Sequence, residues 1–286
     1  MSVVEREFEV KGRRIAARCW HDAGLPPLLA LHGWQDNAAS FDRLAPLLPD
    51  YHIVAMDFAG HGLSDWRAEG MRYHTLDHVD DVLAVVEQLG WQDFRLMGHS
   101  MGAGIGVLLA GAMPERIAQL ALIDGLGPYA GEPEQAPQIL REALLEWQAY
   151  APRPERVFAD RGLAIEARRR GFTPLTASAA TILCSRGVKA VEGGYSWSMD
   201  RRVRHHSSLR FSETQVQAFL EAITAPVLLL RAENGFPAAA DIFAQRWQSV
   251  REGRLLTLPG GHHLHLDECP DKVAAAIQQF FAGRAA

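Results

Sequence analysis

Residues 96–104 read Leu96-Met97-Gly98-His99-Ser100-Met101-Gly102-Ala103-Gly104. An apolar strand here runs into the pattern Gly-x-Ser-x-Gly, and small residues typical of a tightly packed helix follow. The turn between such a strand and helix strains the backbone of its serine, so the neighbouring residues must be small. Gly98 and Gly102 provide that room, and the N-terminus of the helix favours negative charge that develops nearby. We therefore predict that Ser100 is a nucleophile held above the edge of a sheet.

Short apolar strands alternate with helical segments on both sides of this turn. The segment 76–89 has apolar residues at helical spacing, and the strands are apolar throughout, which is typical of a parallel sheet covered on both faces. Before them, segments 5–10 and 14–20 flank a Lys-Gly-Arg turn and predict a hairpin. The apolar strands are predicted at 28–31, 53–56, 94–97, 120–123, 227–230 and 255–258. The pattern predicts an α/β fold with a mostly parallel, eight-stranded sheet flanked by helices.

The alternation stops after Asp124 and resumes near Pro226. The intervening segment is rich in Ala, Glu, Arg and Trp and has mainly helical patterning. We therefore expect a core formed by residues 1–126 and 214–286, with a helical lid inserted at 127–213. Three consecutive arginines, 168–170, fall on a predicted helix of this lid, where such a run is typical of a solvated face.

Composition limits the classes of function. The chain has 286 residues, a formal net charge of −5 and a pI near 6.2, so nothing favours nucleic acid or an anionic membrane as a partner. Its three cysteines show no metal-ligand spacing and do not predict a disulfide framework. The charged first residues do not form a signal peptide, and no apolar run could span a bilayer. We expect a cytoplasmic protein that acts on a small molecule; composition does not predict its oligomeric state.

The chain resembles the α/β-hydrolase fold family over nearly its whole length. His32-Gly33-Trp34 resembles the family's oxyanion-hole motif, and residues 57–65 resemble a turn that is usually structural. The resemblance implies that the backbone N–H groups of Trp34 and Met101 bind an oxyanion, each such donor being worth ~10²–10³ in turnover. Residues 193–202, together with 124–128, are similar to the subgroup of serine hydrolase-like proteins.

Three histidines compete for the role of general base. His262 fits the family pattern, in which Gly-His is followed by a Leu-acid pair ending five positions later. An alignment on Pro270 would favour His263 instead, and His265 is expected to pack or cap locally. These histidines and Asp267 could also be interpreted as a metal site, but zinc needs three or four converging ligands and no partner cluster is visible. We expect His262 as the base, and no metal.

The acid of the triad departs from the commonest family pattern. Gly235 stands about where the usual aspartate would fall, yet a carboxylate is needed to orient the histidine and stabilise its imidazolium form. Asp124, at the end of the strand after the nucleophile helix, is the favoured candidate. Glu233 lies near the usual position but two residues early, and it remains the alternative.

These residues predict acyl transfer to water through an acyl-enzyme on Ser100, with small to medium carboxylic esters as substrates and no cofactor. A serine at this turn argues against the dehalogenases and epoxide hydrolases of the fold, which use aspartate there. A C–C bond hydrolase or a thioesterase with the same triad remains an alternative. A non-catalytic ligand-binding protein is the alternative from another class, because fold alone does not give function.

Overall fold

The computed structural model describes residues 3–151, 155–236 and 240–283, so the outer limits expected for the core, residues 1 and 286, lie outside the described part. Within these ranges eight strands form one sheet and two form a separate hairpin. In chain order the strands are β1 (Val4–Val10), β2 (Arg13–Trp20), β3 (Pro27–Leu31), β4 (His52–Met56), β5 (Phe94–His99), β6 (Ile117–Ile123), β7 (Val188–Val191), β8 (Gly194–Trp197), β9 (Val227–Asn234) and β10 (Gly253–Gly261).

The large sheet has the strand order β1-β2-β4-β3-β5-β6-β9-β10. Strand β2 runs antiparallel to both β1 and β4, whereas all other neighbouring pairs are parallel. The predicted mostly parallel, eight-stranded sheet is therefore confirmed. Strands β6 and β9 extend beyond their predicted limits because polar residues such as Gln119 and Arg231 continue the ladders that apolar residues begin.

Helices cover both faces of this sheet. The α-helices of the described residues are, in chain order, α1 (Thr75–Leu89), α2 (Met101–Ala112), α3 (Ala136–Ala149), α4 (Arg161–Arg169), α5 (Ala177–Gly187), α6 (Glu213–Ala222), α7 (Ala240–Gln248) and α8 (Pro270–Ala282). Successive residues of a strand face opposite sides. Leu96 of β5 accordingly lies in one core with Val85 of α1 and Ile105 of α2, whereas Met97 lies in a second core with Ile277 of α8.

Residues 127–213, expected from the sequence to form a helical lid and called the inserted segment, are not helical throughout. Besides α3, α4 and α5 this segment contains the antiparallel hairpin β7–β8, which the sequence pattern did not predict. Gly193 at the turn of this hairpin has a φ of 80°, a conformation that glycine adopts without steric cost. Among the described residues, no helix combines the length and apolar character needed to cross a membrane.

Candidate active site

Ser100 lies on the sharp turn that the sequence predicted between β5 and α2. Its φ of 53° is in the left-handed region, where a residue with a side chain is strained. A Cβ atom at Gly98 would lie 2.6 Å from the carbonyl carbon of Gly102, and one at Gly102 would lie 2.7 Å from the carbonyl oxygen of His32. Only glycine fits at either position, so the turn keeps the candidate nucleophile raised above the sheet edge.

Asp124 and His262 meet above the same edge. The Nδ1 atom of His262 donates to Oδ2 of Asp124 over 2.6 Å, and the two side chains are 11% and 5% exposed. Ser100 follows β5 and Asp124 follows the adjacent β6, with the Ser100 amide donating to the carbonyl of Ile123 over 3.0 Å. The structure therefore brings the favoured acid and the favoured base into the contact that a triad requires.

The position of Gly235 explains how Asp124 reaches a histidine two strands away. Strand β9 lies between β6, which ends before Asp124, and β10, which ends before His262. The carboxylate of Asp124 fills the space that a side chain at Gly235 would need, and it accepts the amide hydrogens of Ala232 and Phe236 at 3.0 Å each. Glu233 is exposed, and no hydrogen bond or ion pair joins it to His262 in the described part of the chain.

One of the two candidate oxyanion donors, Met101, directly follows Ser100, and the other, Trp34, lies on a different loop. Met101 begins α2, so its amide has no partner within the helix. Trp34 lies on the loop after β3, and this loop is held by His32, whose Nδ1 donates to the carbonyl of Gly33 over 2.7 Å while its Nε2 accepts the amide hydrogen of Phe58 over 3.0 Å. Burial lowers the pKa of His32 to about 4, which keeps this ring neutral and able to accept.

His263 is buried and belongs to a second carboxylate–histidine pair. Its Nε2 donates to Oδ2 of Asp36 over 2.9 Å, while Oδ1 of Asp36 accepts from Nη2 of Arg168 over 2.7 Å. Burial alone would raise the pKa of Asp36, but the neighbouring His263, Arg168 and His99 hold it well below its usual range. His263 therefore has a structural partner of its own and does not compete with His262 for Asp124.

His99 connects this buried pair to the candidate base. Its Nε2 donates to the backbone carbonyl of His262 over 2.9 Å, and burial together with the surrounding histidines lowers its pKa well below the ordinary value. His265 is fully buried and contacts Oγ of Ser40, 225 residues away in sequence, through Nε2 at 2.8 Å, so it packs as expected but against a distant loop and not locally. The loop that carries His262 is thus fixed from below by neutral imidazole rings.

Asp36, His99 and His263 also form a set that could hold a metal ion, since one donor atom of each lies within 4.8 Å of the others. This set differs from the cluster weighed from the sequence, because Asp267 instead accepts from the amide of Thr176 over 2.8 Å. Both oxygens of Asp36 already bind His263 and Arg168. Protein groups therefore satisfy this carboxylate without a metal.

The expectation of a solvated face for the arginine run is wrong at its first residue. The side chain of Arg168 is 14% exposed and reaches Asp36, whereas those of Arg169 and Arg170 are 39% and 73% exposed and pair with Glu166 on their own helix. No local pattern indicated the partner of Arg168, because Asp36 lies on a loop 132 residues away in sequence. Asp36 and Arg168 are the site residues that sequence reasoning missed.

Comparisons with known proteins agree with this fold. The family model for the α/β-hydrolase fold matches residues 26–269. A serine hydrolase-like protein of Danio rerio is 31% identical over 96% of this chain and 87% of its own length. A crystal structure of a hypothetical protein of Pseudomonas aeruginosa PAO1 is 46% identical, covers 97% of this chain and 99% of its own, and has a TM-score of 0.93.

A further solved structure, the thioesterase domain from the curacin biosynthetic pathway, has a TM-score of 0.86 at 25% identity and covers 97% of this chain and 100% of its own. A fold of this kind hosts many reactions, so the likeness alone does not choose among them. The match over most of the chain, together with the strained serine turn and its sheet order, shows that this protein belongs to the α/β-hydrolase fold family and to its serine hydrolase-like subgroup.

Proposed function

We propose that this protein hydrolyses carboxylic esters of small to medium size through an acyl-enzyme on Ser100. The observation that carries the proposal is the 2.6 Å contact between Nδ1 of His262 and Oδ2 of Asp124, above the sheet edge that also holds the strained Ser100. A carboxylate on Nδ1 leaves Nε2 of the same ring unprotonated, which is the form a general base needs.

The reaction follows from these positions. The Oγ atom of Ser100 attacks the ester carbonyl carbon while His262 takes its proton, and the negative charge on the carbonyl oxygen rests on the amides of Trp34 and Met101. The C–O bond to the alcohol then breaks, and His262 gives its proton to the leaving oxygen. Water repeats the two steps on the acyl-enzyme and releases the acid.

Asp124 acts through His262 and not on the substrate. Its charge favours the imidazolium that forms when Ser100 loses its proton, and its fixed position sets the orientation of the ring. The amides of Ala232 and Phe236 hold the carboxylate in place, so little rearrangement is needed during the reaction.

Hydrolysis of p-nitrophenyl esters of increasing acyl length tests the proposal, with wild type and Ser100→Ala measured side by side. We expect turnover in the wild type and a loss of at least about 10³-fold in the variant, because only binding and oxyanion contacts remain. If the wild type shows no turnover and no labelling by a fluorophosphonate, the alternative of a non-catalytic ligand-binding function would be favoured instead.

A thioesterase with the same three residues is the second candidate, and the structural likeness to the curacin thioesterase domain favours it. The chemistry of attack is the same, but the leaving group is a thiol. Oxygen and sulfur esters of one acyl group, compared by kcat/KM on the same preparation, separate the two. A clear preference for the thioester would replace the ester as the proposed substrate.

A further inference from the structure

Three exposed aromatic rings form a row that ends on His262, and we call them the aromatic row: Trp34, Phe172 and Phe236. The ring centroids of Trp34 and Phe172 are 6.3 Å apart, those of Phe172 and Phe236 are 5.6 Å apart, and those of Phe236 and His262 are also 5.6 Å apart. All three separations lie in the range in which aromatic rings interact. The three side chains nevertheless remain 40%, 72% and 47% exposed.

The indole N–H group of Trp34 already has a hydrogen-bond partner within the protein. Its indole N–H donates to the carbonyl of Val203 in the inserted segment over 2.9 Å. A tryptophan normally exposes its ring together with an N–H group that binds water. Here the exposed part of the ring is apolar, and the same residue supplies the proposed oxyanion amide.

The backbone of Phe236 is hydrogen-bonded to Asp124, the candidate acid. Its backbone amide donates to Oδ2 of Asp124 over 3.0 Å, and this is the same oxygen that accepts from His262. The residue that orients the base, Asp124, thus also binds the backbone of Phe236, and the ring of Phe236 lies beside His262.

Phe172 lies on the loop between α4 and α5, and that loop is fixed at both ends. Arg168 binds Asp36 with one guanidinium nitrogen and the carbonyl of Thr173 with another, at 2.7 and 3.3 Å. Beyond Phe172, the amide of Thr176 donates to Asp267 on the loop of His262. The backbone on both sides of Phe172 is therefore anchored, while its side chain is 72% exposed.

We propose that the aromatic row is the binding site for an apolar, planar group of the substrate, so that the preferred esters carry an aromatic ring near the scissile carbonyl. The proposal rests on the hydrolase function proposed above and names its substrate class. The three rings contact one another in a row that ends on His262, and each side chain remains at least 40% exposed. Exposed apolar surface of this kind marks binding sites on soluble proteins.

The charges around the row support an uncharged ligand group. The three arginines that precede Phe172 are all paired: Arg168 with the buried carboxylate of Asp36, and Arg169 and Arg170 with Glu166. Among the described residues, the arginine and lysine side chains that lie over aromatic rings contact rings other than Phe172 and Phe236. The row therefore offers dispersion and ring–ring contacts, which favour flat apolar groups over charged ones.

The test compares two covalent probes that differ by one phenyl ring, phenylmethanesulfonyl fluoride and methanesulfonyl fluoride. Each transfers its sulfonyl group to Oγ of an activated serine, with loss of fluoride and of the serine proton. The second-order rate of labelling of Ser100 is followed by intact mass for the wild type, Phe172→Ala, Phe236→Ala and Phe172→Tyr. The rate ratio of the two probes, compared between variants, cancels their intrinsic reactivities.

We expect the ratio to fall about fivefold in each alanine variant and to be retained in Phe172→Tyr, which keeps the ring. Tyr129→Ala is the matched control, because Tyr129 is 74% exposed but lies against Arg210 and not in the row. Reaction with both probes and an unchanged ratio in both alanine variants would overturn the aromatic site alone. No reaction of the wild type with either probe would overturn the proposed function and the aromatic site with it.

Discussion

The carboxylate of Asp124 occupies the space that a side chain at Gly235 would need: a Cβ atom there would lie 2.7 Å from its Cγ atom. The two positions are on neighbouring strand ends, and the common family pattern has its aspartate about where this chain has Gly235. Because Gly235, directly after β9, has no side chain, the carboxylate of Asp124, directly after β6, can reach His262.

A methyl group at position 235 should displace Asp124 from His262. We expect Gly235→Ala to lower kcat by about 10²-fold, since a shift of about 1 Å in a catalytic group has effects of this size. The measurement is ester turnover, with circular dichroism to verify folding. Gly283→Ala is the matched control, because a Cβ atom at Gly283 would make only an ordinary contact, 3.5 Å from the carbonyl of Phe280. Equal activity of both variants would show that Asp124 tolerates the displacement.

The assignment of the acid is tested by two amide substitutions. Asp124→Asn should lower kcat by about 10⁴-fold, because the amide supports the wrong histidine tautomer. Glu233→Gln, at an exposed side chain without a contact to His262, should change kcat by less than about threefold. Comparable activities of the two variants would contradict the role given to Asp124.

The buried pair of Arg168 and Asp36 should contribute to stability. Arg168→Met removes the one guanidinium that binds the buried Asp36 carboxylate and leaves it only its histidine partner His263, and we expect the free energy of unfolding to fall by about 3 kcal/mol. Arg170→Met, on the same helix at a side chain that is 73% exposed, should cost less than about 1 kcal/mol. Urea denaturation of both variants at one pH measures the difference. Similar losses would mean that the contact with Asp36 is solvent-screened.

Stability should also depend on the neutral form of His32. The pKa of His32 in the folded chain is about 4, below its ordinary value of 6.5, so the unfolded chain binds the extra proton first as pH falls. The stabilisation is complete above about pH 6.5 and is lost as pH falls toward 4. Urea denaturation between pH 7.5 and 4.5, in wild type and His32→Gln, should give a shallower pH slope in the variant. An unchanged slope in His32→Gln would contradict this contribution of His32.

The fold and the core of the site followed from local patterns in the sequence. Gly98, Ser100 and Gly102 predict the strained turn because the requirement for small neighbours is local, and the apolar strands predict the sheet because burial on both faces excludes polar residues. The choice between Asp124 and Glu233 needed the strand order, since a carboxylate can be judged only when its distance to the histidine is known.

The second layer of the site could not be predicted in this way. Arg168 and Asp36 are 132 residues apart in sequence. Neither residue stands in a sequence pattern that distinguishes a buried ion pair from a solvated one. The exposed Phe172 likewise gives no periodic signal. Its relation to Trp34 and Phe236 depends on three loops that meet only in the folded chain.

The contact between Arg168 and Asp36 also limits how product can leave. To lift the loop of Phe172 away from His262, the protein would have to separate a buried ion pair, a cost of about 3–5 kcal/mol. Molecules opened in this manner would make up on the order of one in a thousand at equilibrium. Exchange of substrate and product should therefore proceed across the open faces of the rings, and the rate of release should depend on how strongly the product adheres to them.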